Sequence, residues 1–153
     1  MEFKTPAHAS CYEKIAPWMQ ELFESTVVEY NNDTLFVTRF GSAVAYTRVE
    51  PWGEDKSIIL TRACLVTHVE VSAELTHYLL RENDNLYFGR FGMDAENNII
   101  FEDSLVGSTC DREELKTSVT AVLQFADEYD DKIVARWGGQ RAVDRWSNAL
   151  PWE

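Results

Sequence analysis

Three runs rich in apolar and β-branched residues, separated by polar turn signals, fill the stretch from Thr34 to Val69 and predict three consecutive antiparallel strands. The first is Leu35–Phe40 and the second Ala43–Val49. Between them Gly41-Ser42 has the glycine first, as a type II′ hairpin turn prefers. The third run, Ser57 to Val69, is dense in Ile, Leu, Val and Thr, residues that fit a pleated and half-buried surface. The loop Pro51–Lys56 joins the second run to the third.

Outside this meander the period changes. Cys11, Ile15, Trp18, Met19, Leu22 and Phe23 form a helical stripe over residues 8–25, with Pro17 inside it. A proline there predicts a kink, or a short first turn followed by a new helix. Asn31-Asn32-Asp33 marks a turn into the meander. Ser72 is placed to cap a helix carrying Leu75, Tyr78 and Leu79 and ending near Asn83–Asn85. Two further strands are expected at Leu86–Met93 and Asn98–Val106, joined by the polar loop 94–97. Asp111 with Glu114 forms a capping-box pattern, and Leu115, Val119, Val122, Ala126, Tyr129, Ile133 and Trp137 then recur down one face until Gly138-Gly139. The expected fold is α+β, in the order helix, three strands, helix, two strands, helix. It should form a five-stranded antiparallel sheet with the helices packed on one face. With no internal repeat or linker, the 153 residues read as one domain with a core of about residues 10–146.

Composition narrows the function classes. The chain is 45% hydrophobic with five Trp, six Tyr and eight Phe, far from a disordered composition. A formal net charge of −12 argues against a nucleic-acid partner, which needs clustered Lys and Arg. No apolar run approaches the length of a membrane span, and the first residues lack a signal-peptide core, so a cytoplasmic protein without a membrane partner is expected. Cys11, Cys64 and Cys110 are odd in number and far apart. Cys64 reads as a small buried hydrophobe and the thiols as reduced.

A search for catalytic constellations finds none. His8, His68 and His77 lack metal-ligand spacing, and no nucleophile elbow, phosphate loop or dinucleotide fingerprint occurs. Asp94-x-Glu96-x-Asn98 begins like a calcium loop, but Ile99 and Leu105 stand where that loop needs Gly and Glu. No catalytic residue, metal site or cofactor is expected. Asp127, Glu128, Asp130 and Asp131 read as a solvated helix face.

Four predicted strands carry an arginine: Arg39, Arg48, Arg62 and Arg90. Alternation puts Arg48 with Val44 and Tyr46, Arg62 with Ile58, Leu60, Cys64 and Val66, and Arg90 with Leu86 and Phe88. The opposite sides, with Ala43, Ala45, Thr47, Ile59, Ala63, Leu65, Tyr87 and Phe91, are also largely apolar. A sheet with two apolar faces suggests that its arginine-bearing side is covered by a peptide or a second protomer. Arg39, Arg48, Arg62, Arg90, Tyr46 and Phe88 are the candidate contacts. The competing reading is ordinary exposed arginines paired with the cross-strand carboxylates Glu50 or Glu102.

Several stretches together resemble the YbjN family, whose fold is that of the type III secretion chaperones. They are Ile15-Ala16-Pro17-Trp18, the meander, Leu86-Tyr87-Phe88-Gly89-Arg90-Phe91, and Ala135-Arg136-Trp137-Gly138-Gly139. The resemblance spans roughly residues 10–146. It implies the same element order, homodimerisation, and peptide binding without nucleotide or metal. The label of sensory transduction regulator attached to some YbjN-like proteins finds no DNA-binding element here. The expected function is a non-enzymatic, chaperone-like protein- or peptide-binding module. The alternative is a small-ligand-binding or regulatory protein with a pocket between sheet and helices, near Arg62, His68 and Glu70. The Trp-rich tail, Asp144–Glu153, is not interpreted by the resemblance.

Overall fold

Thr5 stops the chain in extended conformation and accepts a hydrogen bond from the His8 amide at 3.1 Å, and Pro6 then opens helix α1 (Pro6–Phe23). Proline suits that place because its missing N–H is one the first turn leaves unpaired anyway. This is the start of a computed structural model that describes residues 2–145. α1 runs through Pro17 as one element, so the break expected there is not made. Cys11, Ile15 and Met19, on both sides of the proline, are buried against the sheet. Packing of this stripe offsets the lost backbone bond, as tertiary contacts usually decide helix stability.

Glu24 ends α1 in the left-handed region, and the chain enters a strand that the sequence pattern did not assign, β1 (Thr26–Tyr30). Asn31 and Asn32, with φ of 49° and 67°, form a two-residue turn with both φ positive, as type I′ requires. It leads into β2 (Asp33–Phe40), with Tyr30 opposite Asp33. In the next turn only Gly41 has positive φ, +55°, which is the type II′ pattern. β3 (Ala43–Trp52) and β4 (Lys56–Thr67) complete the meander. α2 (Ala73–Asp84) follows, capped by the Ser72 hydroxyl accepting from the Leu75 amide at 3.1 Å. β5 (Arg90–Met93) is shorter than expected, and β6 (Ile99–Val106) matches the pattern closely. In the loop between them Asp94 Oδ1 accepts from the amides of Glu96 and Asn98, both at 2.9 Å, which is a hairpin turn and not an ion loop.

α3 (Arg112–Trp137) begins with the full capping box, Asp111 and Glu114 each accepting the other's amide, at 2.8 and 3.0 Å. After Gly138-Gly139 a two-residue β7 (Gln140–Arg141) pairs with Val66-Thr67 of β4, and α4 (Ala142–Arg145) follows. The Trp-rich tail beyond Arg145 lies outside the described residues.

Among the described residues the sheet has seven strands, two more than expected, in the order β1-β2-β3-β4-β6-β5 with β7 added on β4. Every pairing is antiparallel. α1 and α3 pack on one face. Ile15 and Met19 of α1 and Leu115, Val119, Val122 and Ile133 of α3 meet Phe36, Ala45, Ile59, Ala63 and Phe101 of the sheet in one core. Alternation keeps the two faces of β3 and β4 distinct until a register shift between Cys64 and Val66. There Val66 turns inward, fully buried beside Leu65, instead of joining the arginine-bearing side.

Half of the acidic cluster on α3 is not a solvated face. Asp127 Oδ1 accepts from the Ser42 amide at 2.7 Å and lies 2.9 Å from Ser42 Oγ, and Asp130 Oδ2 lies 2.6 Å from the same Oγ. Asp130 is only 2% exposed. One hydroxyl carries one hydrogen, and ionised carboxylates only accept. Both contacts are therefore satisfied together when Asp130 carries a proton. Burial raises the pKa of Asp130 above its ordinary 3.8, while the Ser42 bond, the Asp131 amide and Arg141 work the other way and Asp131's charge adds to the rise. A raised folded-state value means that the contribution is fully present below the ordinary value and fades as pH rises through the folded one. Relative to Asp130→Asn, whose side chain keeps a donor at all pH, the wild type should lose stability across that window. Urea titrations of both proteins at a series of pH values measure this, and parallel curves would exclude the shared proton.

Candidate binding surfaces

The face of the sheet away from the helices presents Tyr46, Arg48, Arg62 and Arg90, as alternation assigned them, but not Val66, Leu86 or Phe88. Register places Tyr46 opposite Arg62, Arg62 opposite Glu102, and Glu102 opposite Arg90, in one row across four strands. Glu102 serves both arginines. Arg62 Nε donates to its Oε2 at 2.7 Å and Arg90 Nη2 to its Oε1 at 3.1 Å. Arg48, one row along, has its Nε 2.5 Å from Glu50 Oε1, close but not aligned as a hydrogen bond. Glu102, across the strands, thus occupies Arg62 and Arg90, while Arg48 lies against Glu50 two residues along its own strand. Burial pushes the Tyr46 phenol pKa up, against the pull of Arg62 and Arg48, so it stays protonated.

This face is partly closed by its own side chains. Leu35, Val37 and Leu60 are buried, and the cross-strand neighbours of Val37 and Leu60 are Tyr46 and Arg48. Long side chains with apolar stems can shield aliphatic neighbours while their heads stay paired. Phe88 and Tyr87 do not lie on the sheet. Both precede β5 in a bend, Phe88 49% and Tyr87 97% exposed. Arg62, His68 and Glu70 do not assemble a site: Arg62 is held by Glu102, and His68 and Glu70 are exposed beyond the end of β4.

Arg39 differs from the others. It is exposed near the end of β2, and among the described residues it has no ion pair or side-chain hydrogen bond. Two hollows meet at it. One, of about 470 Å³, lies between the end of α1, β2 and α3, with Leu22, Phe23, Phe40 and Leu123 in its wall. The other, of about 330 Å³, continues over the β1 edge, with Phe23, Thr26, Val28 and Val37. Glu24 borders both. The corner combines apolar walls, an exposed Phe40 and a guanidinium without a partner among the described residues. Alternation could not find it, because it joins residues from both faces of β2 with the last turn of α1.

Two of the thiols are poorly disposed to chemistry. Burial raises Cys64 to about 12 and Cys110 to about 11, so neither is a thiolate near neutrality. Among the described residues no group of three His, Cys, Asp or Glu could hold a metal ion. No helix among them is long and apolar enough to cross a membrane.

A family model described as "T3SS (YopN, CesT) and YbjN peptide-binding chaperone 1", TY-Chap1, matches residues 10–145. The chain belongs to TY-Chap1. Solved structures agree with the TY-Chap1 fold at low identity. The HopA1-SchA chaperone-effector complex contains a chain 11% identical, with a TM-score of 0.60 over 82% of this chain and 99% of that one. The ExsC-ExsE complex matches at 10% identity and TM-score 0.55, covering 81% and 93%. An uncharacterized protein from Methanothermobacter thermautotrophicus matches at 19% identity and TM-score 0.57, covering 82% and 96%. A comparison with curated protein sequences gave no match.

Proposed function

We propose that this TY-Chap1 chain is a non-enzymatic binding module of the cytoplasm that holds a segment of another protein, as a homodimer, at the corner around Arg39. The observation that carries the reading is the pair of apolar-walled hollows meeting at the Arg39 guanidinium, which has no partner among the described residues. The family's description as peptide-binding chaperones supports it, as does the chaperone-effector complex among the structural neighbours. Hollows of a few hundred Å³ suit individual side chains of a peptide better than a whole folded domain. The surplus of acidic residues favours a partner with basic character, steered by long-range attraction. Exposed Leu80 on α2 and Met93 on β5 offer apolar surface for the second protomer.

The test begins with peptides selected on the purified protein from a displayed random library. Arg39→Glu should weaken them about tenfold or more, since a charged hydrogen bond is worth roughly 1.5–3 kcal/mol. Arg48→Ala, on the self-paired face, should leave affinity within about twofold, as exposed pairs contribute little. The reverse pattern, measured by fluorescence anisotropy, would move the site to the open face. Static light scattering of the free protein tests the dimer.

A further inference from the structure

Strand β6 is longer than its neighbour on one side. β5 pairs Arg90–Met93 with Glu102–Ile99, so Asp103–Val106 have β4 on one flank and no strand on the other. In an antiparallel ladder successive residues turn their N–H and C=O to opposite flanks. Two bonds at the ends of β6 fix the phase. The Gly107 amide donates to the Ser57 carbonyl at 2.8 Å, which turns 107, 105 and 103 toward β4. The Asp94 amide donates to the Asn98 carbonyl at 3.1 Å, which turns 98, 100 and 102 toward β5. Both ends give the same answer, so Ser104 and Val106 face the vacant flank.

The Val106 carbonyl accepts from the Cys110 amide at 3.1 Å. The Ser104 N–H and C=O and the Val106 N–H have no protein partner among the described residues. Unpaired strand edges of this kind are templates for another chain. The vacancy has a local cause. Leu86-Tyr87-Phe88 would continue β5 along this edge, but Gly89, at φ +75°, diverts the chain just beyond Phe101 and Glu102. Val106 is 55% exposed at the same edge, and Tyr87 and Phe88 project from the diverted segment.

We propose that the edge of β6 at Ser104–Val106 accepts an extended segment of a partner polypeptide as an added strand, with Val106, Phe88 and Tyr87 packing on its side chains. A donor and acceptor on one residue and a donor two residues on, about 7 Å apart along a strand, match an extended backbone. A helix cannot offer them, since its own backbone groups are used internally. The acidic surplus favours a basic segment. This edge is on the opposite side of the sheet from β1 and Arg39, so it is a second contact. It rests on the peptide-binding reading only for the kind of partner.

Val106→Pro tests it. The Val106 N–H points away from β4, so proline there removes no ladder bond of the fold, whereas Leu105→Pro does. With library-selected peptides on the full chain, Val106→Pro should keep the melting temperature within a few degrees and weaken binding tenfold or more. Peptides N-methylated one amide at a time should lose affinity at alternate positions on the wild type, a readout that survives a poorly folded variant. Hydrogen exchange at Ser104 and Val106 should be fast in the free protein and slow with peptide. Binding that ignores Val106→Pro and N-methylation but falls with Arg39→Glu overturns this proposal alone. If no peptide is selected, the peptide-binding reading falls and this one with it. Loss of a dimer in Val106→Pro, with peptide affinity unchanged, assigns the edge to a second copy and overturns the proposal.

Discussion

Replacing Phe101 by alanine should lower the unfolding free energy by about 3–5 kcal/mol and the melting temperature by roughly 10 °C. Phe101 is fully buried on β6, which lies between β4 and β5. Its ring meets Phe91 edge-on with centroids 4.9 Å apart, and Phe125 of α3 at 5.3 Å. Phe91 in turn packs edge-on against Tyr129 at 4.9 Å, whose hydroxyl donates to Glu82 of α2 at 2.6 Å. Truncation therefore opens a cavity where the sheet, α2 and α3 meet, and rigid surroundings collapse little. Val27→Ala, at a 52% exposed site, should cost well under the Phe101 value. Chemical denaturation of both variants measures the contrast, and equal small losses would mean that the aromatic chain is not the centre of the core.

Gly89→Ala should be nearly as damaging, for two separable reasons. A Cβ at Gly89 would stand 2.4 Å from Phe101 Cε1 and 3.1 Å from the Glu102 carbonyl, and φ there is +75°. The left-handed backbone costs roughly 1–2 kcal/mol for a residue with a Cβ, and overpacking adds about 1–3 kcal/mol. The pair forms a thermodynamic cycle. In Phe101→Ala the ring that the new Cβ would strike is gone, so the double variant should lose less than the sum by about 0.5–3 kcal/mol. Strict additivity would assign the cost of Gly89→Ala to its φ and the Glu102 carbonyl instead of to the Phe101 ring. The cycle also reports on the diverted segment, since Gly89 sets where β5 leaves the edge of β6.

What the sequence disclosed was what neighbours along the chain decide. The Ser72 cap, the Asp111–Glu114 box and the Gly41-Ser42 turn are bonds between residues no more than three apart, and each formed as expected. β1 was legible in principle, because Thr26-Val27-Val28 is β-branched and Asn31-Asn32 is a hairpin signal, but five residues between a helical stripe ending at 25 and the turn carry too short a pattern to stand out. β7 has no periodic signal. Its two residues are extended because β4 outruns β3 and leaves Val66-Thr67 to be paired.

Site residues divide in the same way. Alternation placed Arg48, Arg62 and Arg90 on one face correctly, yet the pairing of Arg62 and Arg90 depended on β6 lying beside β4, a neighbour separated in sequence by α2 and β5. Only that adjacency brings Glu102 between Arg62 and Arg90. Phe88 was assigned to a strand that the backbone at Gly89 cuts short. Asp127 and Asp130 looked like a solvated helix face because their partner, Ser42, is 85 and 88 residues away.

Strand order also bears on how the chain assembles. β1 to β4 pair with their immediate neighbours in sequence, so the meander can zip up through short loops as the amino end emerges during synthesis. The flank of β4 that belongs to β6 stays bare through that period, since Arg62 meets Glu102 across 40 residues. Long closures cost more chain entropy before contacts repay them. That flank, and α3 that covers the helix-side face, can close only after the meander, and a sheet without them displays Ile59, Ala63 and Leu65 to any other nascent chain nearby. A protein whose relatives chaperone others would itself be most in need of shelter between the completion of β4 and the arrival of α3.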